Sequence, residues 1–278
     1  MIIVAGGDSF VYGSELSDCD TFKGARGKNF KYSLKTFTAL VSADYDYECV
    51  AWPGYGNDSI ARRVIAECES IFPERPVVIV SWTFPGRYEF RFNYSTNQIN
   101  SPWHTITPWT VNTIDAIKKE YATFDEKTLT DQIAALDRAQ KTGVADFADT
   151  FYRHVGNNEY WEIYSSLKEI VYLQNYLKTN NIPYLFTCAD NSIWYNNTID
   201  RADNIIHSLT EQIRRDQENW FWFPAGINPQ DTQSPRGFYQ WAIENKYPVG
   251  TTHPLDEAHQ AAAKLIQGKF NELVKKSV

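Results

Sequence analysis

The chain opens on an apolar run, Ile2-Ile3-Val4-Ala5, that stops at Gly6-Gly7-Asp8-Ser9. An apolar segment of strand length that ends abruptly in small and polar residues reads as a buried strand with its carboxyl end at that point. In open α/β sheets, ligands bind just outside the carboxyl ends of the strands. Ser9 therefore stands where a serine can do chemistry. A serine hydroxyl is a poor nucleophile until a base removes its proton, and histidine is the usual base near neutral pH. The segment Thr252-His253-Pro254-Leu255-Asp256-Glu257-Ala258-His259, near the other end of the chain, offers two such bases.

The pattern of the first strand repeats. Tyr45 to Ala51, Pro76 to Trp82 and Tyr184 to Cys188 read as further strands, and Trp220 to Phe223 as a short fifth. The run Val77-Val78-Ile79-Val80 is apolar throughout, as strands buried on both faces tend to be. Between the strands, apolar residues recur at helical spacing over about 30–43, from Ile60 to Cys68, over about 128–141, from Trp161 to Thr179, near 200–216 and from about Pro254 to Val274. Residues 6–27 read as a loop. Asn57 or Asp58 is the expected cap of the second helix, and Pro254 suits the first turn of the last one. Alternating strands and helices give a parallel sheet of about five strands with helices on both faces. The alternation is interrupted at about 84–158 and 224–252, which read as insertions into a single domain spanning 1–278.

Composition removes several classes of function. The net charge of −7 argues against nucleic acid as a partner, because phosphate-backbone binding needs clustered Lys and Arg. The pairs Arg62-Arg63, Arg214-Arg215 and Lys275-Lys276 sit in acid-containing helical segments and read as solvated faces. No stretch approaches the ~18 apolar residues of a membrane span, and the N-terminus lacks the basic region of a secretory signal. Cys19, Cys49, Cys68 and Cys188 form no Cys-x-x-Cys pair and no zinc-spaced cluster. The expectation is a cytoplasmic protein with free thiols, with no metal, no cofactor, no membrane partner and no nucleic-acid partner. Gly6-Gly7-Asp8-Ser9 does not suit a phosphate loop, since Asp8 would repel phosphate and no lysine follows.

Gly7-Asp8-Ser9-Phe10 after a first strand, with His253-Pro254 before a C-terminal helix, resembles the SGNH (GDSL-type) hydrolase superfamily. The longer strings Gly7-Asp8-Ser9-Phe10-Val11-Tyr12-Gly13-Ser14-Glu15-Leu16 and Ala51-Trp52-Pro53-Gly54-Tyr55-Gly56-Asn57-Asp58-Ser59-Ile60 resemble members found in bacteria and tailed phages. The likeness covers the order of elements across most of the chain, but not 84–158 or 224–249. It implies a three-layer α/β/α, flavodoxin-like fold and a serine esterase. Ser9 would be the nucleophile. The backbone N–H of Gly54 would join that of Ser9 in an oxyanion hole, where losing one donor typically costs about 3–4 kcal/mol. The family's third donor is the asparagine of a Gly-x-Asn-Asp segment. Here Ser81-Trp82-Thr83-Phe84-Pro85-Gly86-Arg87 stands in its place. Asn57 is the first substitute and Thr83 the second. Arg87 could meet an anionic group, or pair with Glu89 or Glu257.

Two alignments of the base stay open. The family's final motif is Asp-x-x-His, which Asp256-Glu257-Ala258-His259 matches literally. His253-Pro254 matches a longer form, and His253 is preferred because it lies on the loop before the helix. The position three before His253 is then Gly250, and the acid of the triad is absent or comes from Asp256 or Asp231. An O-acetylated carbohydrate is the expected substrate, with Trp103, Trp109, Trp194, Trp222 and Trp241 able to stack on sugar rings or to pack the insertions. The alternative is a catalytically weak or inactive glycan- or protein-binding module on the same fold.

Overall fold

A computed structural model describes residues 1–19, 32–92, 103–111, 118–119, 126–194, 203–224 and 236–277. In chain order the elements that carry the fold are β1 (Ile2–Gly6), α1 (Ser9–Tyr12), α2 (Phe37–Val41), β2 (Asp46–Cys49), α3 (Asn57–Ser70) and β3 (Val77–Trp82). They continue with β4 (Tyr88–Arg91), β5 (Trp103–Ile106), α4 (Glu126–Lys141), α5 (Val144–Phe151), α6 (Glu159–Thr179), β6 (Tyr184–Cys188), α7 (Asn204–Arg214), α8 (Phe238–Glu244) and α9 (Asp256–Lys275).

The main sheet has the order β2-β1-β3-β6 and is parallel throughout, with Ile3 opposite both Tyr47 and Val77, and Val78 opposite Tyr184. Successive side chains alternate between its faces. Val4, Val78, Val80 and Phe186 pack toward α3, α6 and α7. Ile3, Val77, Ile79 and Leu185 pack toward α2, α8 and α9. This alternation makes the three layers. A fully buried side chain such as Ile79 stabilises the core by roughly 1.5–3 kcal/mol.

The order also places the site. The chain leaves β1 to one neighbour, β2, and returns past it to the other, β3. This is a topological switch point, where the connections diverge and open a crevice at the carboxyl ends of the strands. Ser9 follows β1 at that crevice.

Among the described residues four strands form the sheet, where the sequence reads about five. The fifth segment runs beside β6 but among the described residues bridges to it only at Phe186 with Trp220, extended by Phe221 N–H donating to Phe186 O at 2.8 Å, and bridges at its far end to Arg236. Its Trp and Phe side chains turn into the two helical layers instead of continuing a ladder. Several boundaries also shift. The stretch read as a loop after β1 contains α1, a single turn too short for periodicity to show. The helix expected over about 30–43 is α2, confined to Phe37–Val41; residues 30–31 lie outside the described residues. Gly56, not Asn57 or Asp58, stands at the N-cap of α3; Asn57 bonds to Thr83 and Ser166, and Asp58 accepts the Ser59 and Glu89 N–H groups. Pro254 lies before the last helix, bridged to Val249, and Leu255 is the cap.

Within 84–158, β4 and β5 form an antiparallel ribbon. It has its own small core of Tyr88, Ile106, Val144, Ala148 and Tyr152. The ribbon is fastened to α3 by the two-pronged Arg62–Glu89 pair at 2.6 and 2.7 Å. Arg62 is thus half of a fixed ion pair, where a solvated face was expected. Within 224–252, α8 buries Phe238 and Trp241 in the main core. All four cysteines are free thiols. No described helix is long and apolar enough to cross a membrane.

Candidate active site

Asp8 ends the β1 turn by capping α1. Its side chain accepts the Phe10 N–H at 3.0 Å, which is the standard use of Asp at an N-cap. Ser9 is thereby the first residue of a helical turn, with its hydroxyl at the crevice and its N–H at the helix start. At the far end of the chain, Val249 pairs with Pro254, and the Gly250 N–H donates to the His253 carbonyl at 2.9 Å. This tight turn holds His253 just ahead of α9. The imidazole packs edge-on against Phe10, with ring centroids 4.8 Å apart.

The two ends meet. His253 Nε2 lies 2.8 Å from Ser9 Oγ, which is hydrogen-bond distance for a nucleophile and its base. His253 Nδ1 lies 2.9 Å from Glu15 Oε1 and 2.8 Å from Thr252 Oγ1. With Nδ1–H donating to the carboxylate, Nε2 is left as the acceptor for the serine proton. Glu15 is held in turn. Its carboxylate accepts the Thr251 N–H at 2.5 Å, the Thr252 N–H at 3.2 Å and the Thr252 hydroxyl at 3.0 Å. Partial burial pushes the Glu15 carboxyl up. The bonds from His253 and Thr252 outweigh that and hold it below its ordinary value. Glu15 has a left-handed backbone, with φ of 69°, a conformation that costs a non-glycine residue on the order of 1 kcal/mol.

The remaining sequence candidates divide. His259 is buried in the core beside Phe37 and Phe238, and its Nδ1 accepts the Phe37 N–H at 3.1 Å. Burial pushes its pKa down to about 3. It is therefore a neutral structural acceptor within the core. Asp256 is engaged by the Ser17 N–H at 3.1 Å, the Ser17 hydroxyl at 2.6 Å and Lys35 Nζ at 2.8 Å. Burial raises its carboxyl, but Lys35 and Ser17 prevail and lower it to about 2. It ties two loops together and does not touch His253. Asp231 lies outside the described residues. Glu15 was missed as a partner of His253. The one trace of it in the sequence is indirect: a glycine stands at position 250, where an acid is expected.

On the other side of Ser9, the loop after β2 is drawn in by the Trp52 N–H donating to Gly7 O at 3.4 Å. Gly54 on that loop has φ of 87°, a left-handed conformation that glycine adopts without steric cost. Neither the Ser9 N–H nor the Gly54 N–H donates to another group among the described residues. Asn57 and Thr83 do not offer themselves as a third donor. Asn57 Nδ2 donates to Thr83 O at 3.2 Å and Ser166 Oγ at 3.1 Å, while Asn57 Oδ1 accepts the Thr83 N–H at 2.9 Å. The Thr83 hydroxyl donates to Asp8 Oδ2 at 2.5 Å. Arg87 pairs with Asp8 at 3.0 Å, both side chains being nearly inaccessible at 8% and 0%. Its Nη1 also reaches Tyr55 O at 3.3 Å. The expected surface pairing of Arg87 with Glu89 or Glu257 is thus replaced by a buried one, because Asp8 needs a counter-charge inside the domain. These groups fasten the loops after β1, β2 and β3 to one another.

Of the aromatic candidates, Trp103 and Trp109 are exposed, under the Arg62 and Arg87 guanidinium groups respectively. Trp241 is core, Trp222 stacks on Trp220, and Trp194 meets both edge-on. Trp52, beside Gly54, is 40% exposed and packs edge-on against Tyr12. No group of three or more metal-binding side chains occurs among the described residues.

No family model and no curated protein matches the sequence. Among solved structures, the chain is similar to the psychrotrophic esterase EstA from Pseudoalteromonas sp., at 10% identity and a TM-score of 0.41, over 99% of this chain and 98% of that one. It is similar to the acetyl xylan esterase AlAXEase at 10% identity and a TM-score of 0.38, over 96% and 98%. It is also similar to an extracellular lipase from Streptomyces rimosus at 12% identity and a TM-score of 0.36, over 98% and 99%. At such identities and scores, function is inferred from the site itself.

Proposed function

We propose that the chain is a serine ester hydrolase of the SGNH type, with Ser9 as nucleophile and His253 as general base. The observation that carries this reading is the 2.8 Å contact between Ser9 Oγ and His253 Nε2 at the switch point of the sheet. His253 removes the hydroxyl proton as Ser9 Oγ bonds to the ester carbonyl carbon. The tetrahedral oxyanion is received by the open N–H groups of Ser9 and Gly54. The bond to the alcohol oxygen then breaks, and the imidazolium returns its proton to that leaving group. Water, deprotonated by the same imidazole, attacks the acyl-enzyme and releases the acid and Ser9. Two backbone donors suffice for an oxyanion hole in other serine hydrolases.

For the substrate we propose an O-acetylated carbohydrate. Its support is the exposed Trp52 ring next to Gly54, since an amphipathic aromatic face suits a sugar ring as well as an apolar body. The test is hydrolysis of p-nitrophenyl acetate. Ser9→Ala is expected to lower the rate to background, a loss on the order of 10⁵-fold or more in kcat. Equal rates for the wild type and Ser9→Ala would overturn the reading and leave a binding module on the same fold.

A further inference from the structure

Three facts meet at the turn before α9. First, the imidazole of His253 has a carboxylate partner, Glu15, that comes from the loop after the nucleophile, 238 positions away in sequence. Second, the turn itself is shaped around that carboxylate, with the N–H groups of Thr251 and Thr252 and the Thr252 hydroxyl all donating to it. Third, a Cβ added at Gly250 would fall 2.1 Å from Glu15 Oε2, far inside any non-bonded contact. Gly250 does not have the left-handed backbone that only glycine tolerates well. It is a glycine for want of space, and Glu15 occupies the space.

We propose that Glu15 is the positioning carboxylate of His253, and that positions 15 and 250 are a mutually exclusive pair, either of which can supply that acid but not both at once. This inference rests on the ester-hydrolase reading above. A side chain branching from residue 250 would begin where Glu15 Oε2 now sits, beside the oxygen that meets Nδ1. An aspartate there would thus present its carboxylate to the same nitrogen from the histidine's own turn. The present chain has the acid on the opposite loop, which also joins the two halves of the site. The left-handed backbone of Glu15 fits this assignment, because strained non-glycine residues are retained where surrounding bonds impose the geometry. Asp256 is no rival, since Ser17 and Lys35 engage its oxygens.

The role of Glu15 is to hold the imidazole in one tautomer and to stabilise the imidazolium as it forms. The test compares the wild type, Glu15→Gln, Glu15→Gly, Gly250→Asp and the double variant Glu15→Gly/Gly250→Asp on p-nitrophenyl acetate. Thermal melts confirm that each is folded. Glu15→Gln is expected to lower kcat by about 10³–10⁴-fold, as for the equivalent change in other triads, with KM within a few-fold. Gly250→Asp alone is expected to lose activity through overlap with Glu15. The double variant is expected to recover at least tenfold over Glu15→Gly. In parallel, the downfield Nδ1–H proton resonance of the imidazole should be present in the wild type and absent in Glu15→Gln.

A Glu15→Gln protein that keeps kcat within threefold of the wild type overturns the assignment. So does a folded double variant no better than Glu15→Gly. A wild type that hydrolyses nothing and leaves Ser9 unmodified by a fluorophosphonate overturns the ester-hydrolase reading, and this inference with it. An active wild type with an indifferent Glu15 overturns this inference alone.

Discussion

On one side of Ser9 the hydroxyl meets a continuous chain of side chains, His253 and then Glu15, with Thr251 and Thr252 behind the carboxylate. On the other side the polar side chains of Asn57, Thr83 and Arg87 are bonded to one another, to Asp8, to Ser166 and to the backbone, and the Ser9 and Gly54 N–H groups have no partner among the described residues. In the proposed reaction the first side moves a proton, while the side chains of the second hold loops in place. Both need buried polar groups to be satisfied, but they reach that end differently. On the activating side the last acceptor, His253 Nε2, is left to the reacting hydroxyl. On the oxyanion side Asn57 and Thr83 give their donors to neighbouring groups, while the two backbone N–H groups and the buried Arg87 Nε have no partner among the described residues. For Asn57 or Thr83 to donate to the oxyanion, a bond that fastens these loops would have to be given up.

This contrast can be broken at Thr83. If its hydroxyl serves only Asp8 and Arg87, Thr83→Val should cost about 1–3 kcal/mol of stability, the usual effect of leaving a buried acceptor short of a partner. Urea unfolding would show that loss, while kcat on p-nitrophenyl acetate should stay within about threefold. A stable Thr83→Val protein with kcat down by the 10²–10³-fold typical of a lost oxyanion donor would show that the hydroxyl turns to the reaction, and the two sides would no longer differ in kind.

A smaller effect sharpens the difference between the two histidines. His259 stays neutral in the folded protein down to about pH 3, because burial opposes its charge, whereas in the unfolded chain it takes a proton near its ordinary value of about 6.5. Between those values the unfolded state binds more protons, so stability falls as the pH falls. From pH 7 to 5.5 this group alone should remove about 1 kcal/mol. His259→Gln, able to accept the Phe37 N–H without titrating, should show a correspondingly flatter decline in thermal midpoint over that window. An unchanged slope would mean that His259 is not the buried neutral acceptor described.

What the sequence reveals and what it hides follow from the range of the interactions. β1, β3 and β6 are mainly apolar runs of the right length, whereas β2 alternates polar and apolar residues, and Ser9 is legible because β1 stops at a small, polar turn. His253 is legible because Pro254 marks a loop–helix junction. The short helix Ser9–Tyr12 is not legible, since four residues have no period. The Arg87–Asp8 pair and the His253–Glu15 pair join residues 79 and 238 positions apart. Local reasoning therefore gives Arg87 a neighbour such as Glu89 and gives His253 an acid from its own helix, Asp256. Asn57 has the chemistry of a cap and of an oxyanion donor, and only packing shows that Thr83 and Ser166 take it up.

The central claim is that His253 makes Ser9 a nucleophile, and covalent trapping tests it most directly. The folded wild type would be incubated with a fluorophosphonate, digested and mapped by mass spectrometry, beside His253→Ala. The account predicts one phosphonyl adduct, on the peptide and residue of Ser9, formed rapidly in the wild type and at least about 10³-fold more slowly in His253→Ala, in keeping with the loss of a triad base. A folded wild type with Ser9 unmodified, or modified equally fast without His253, would contradict it.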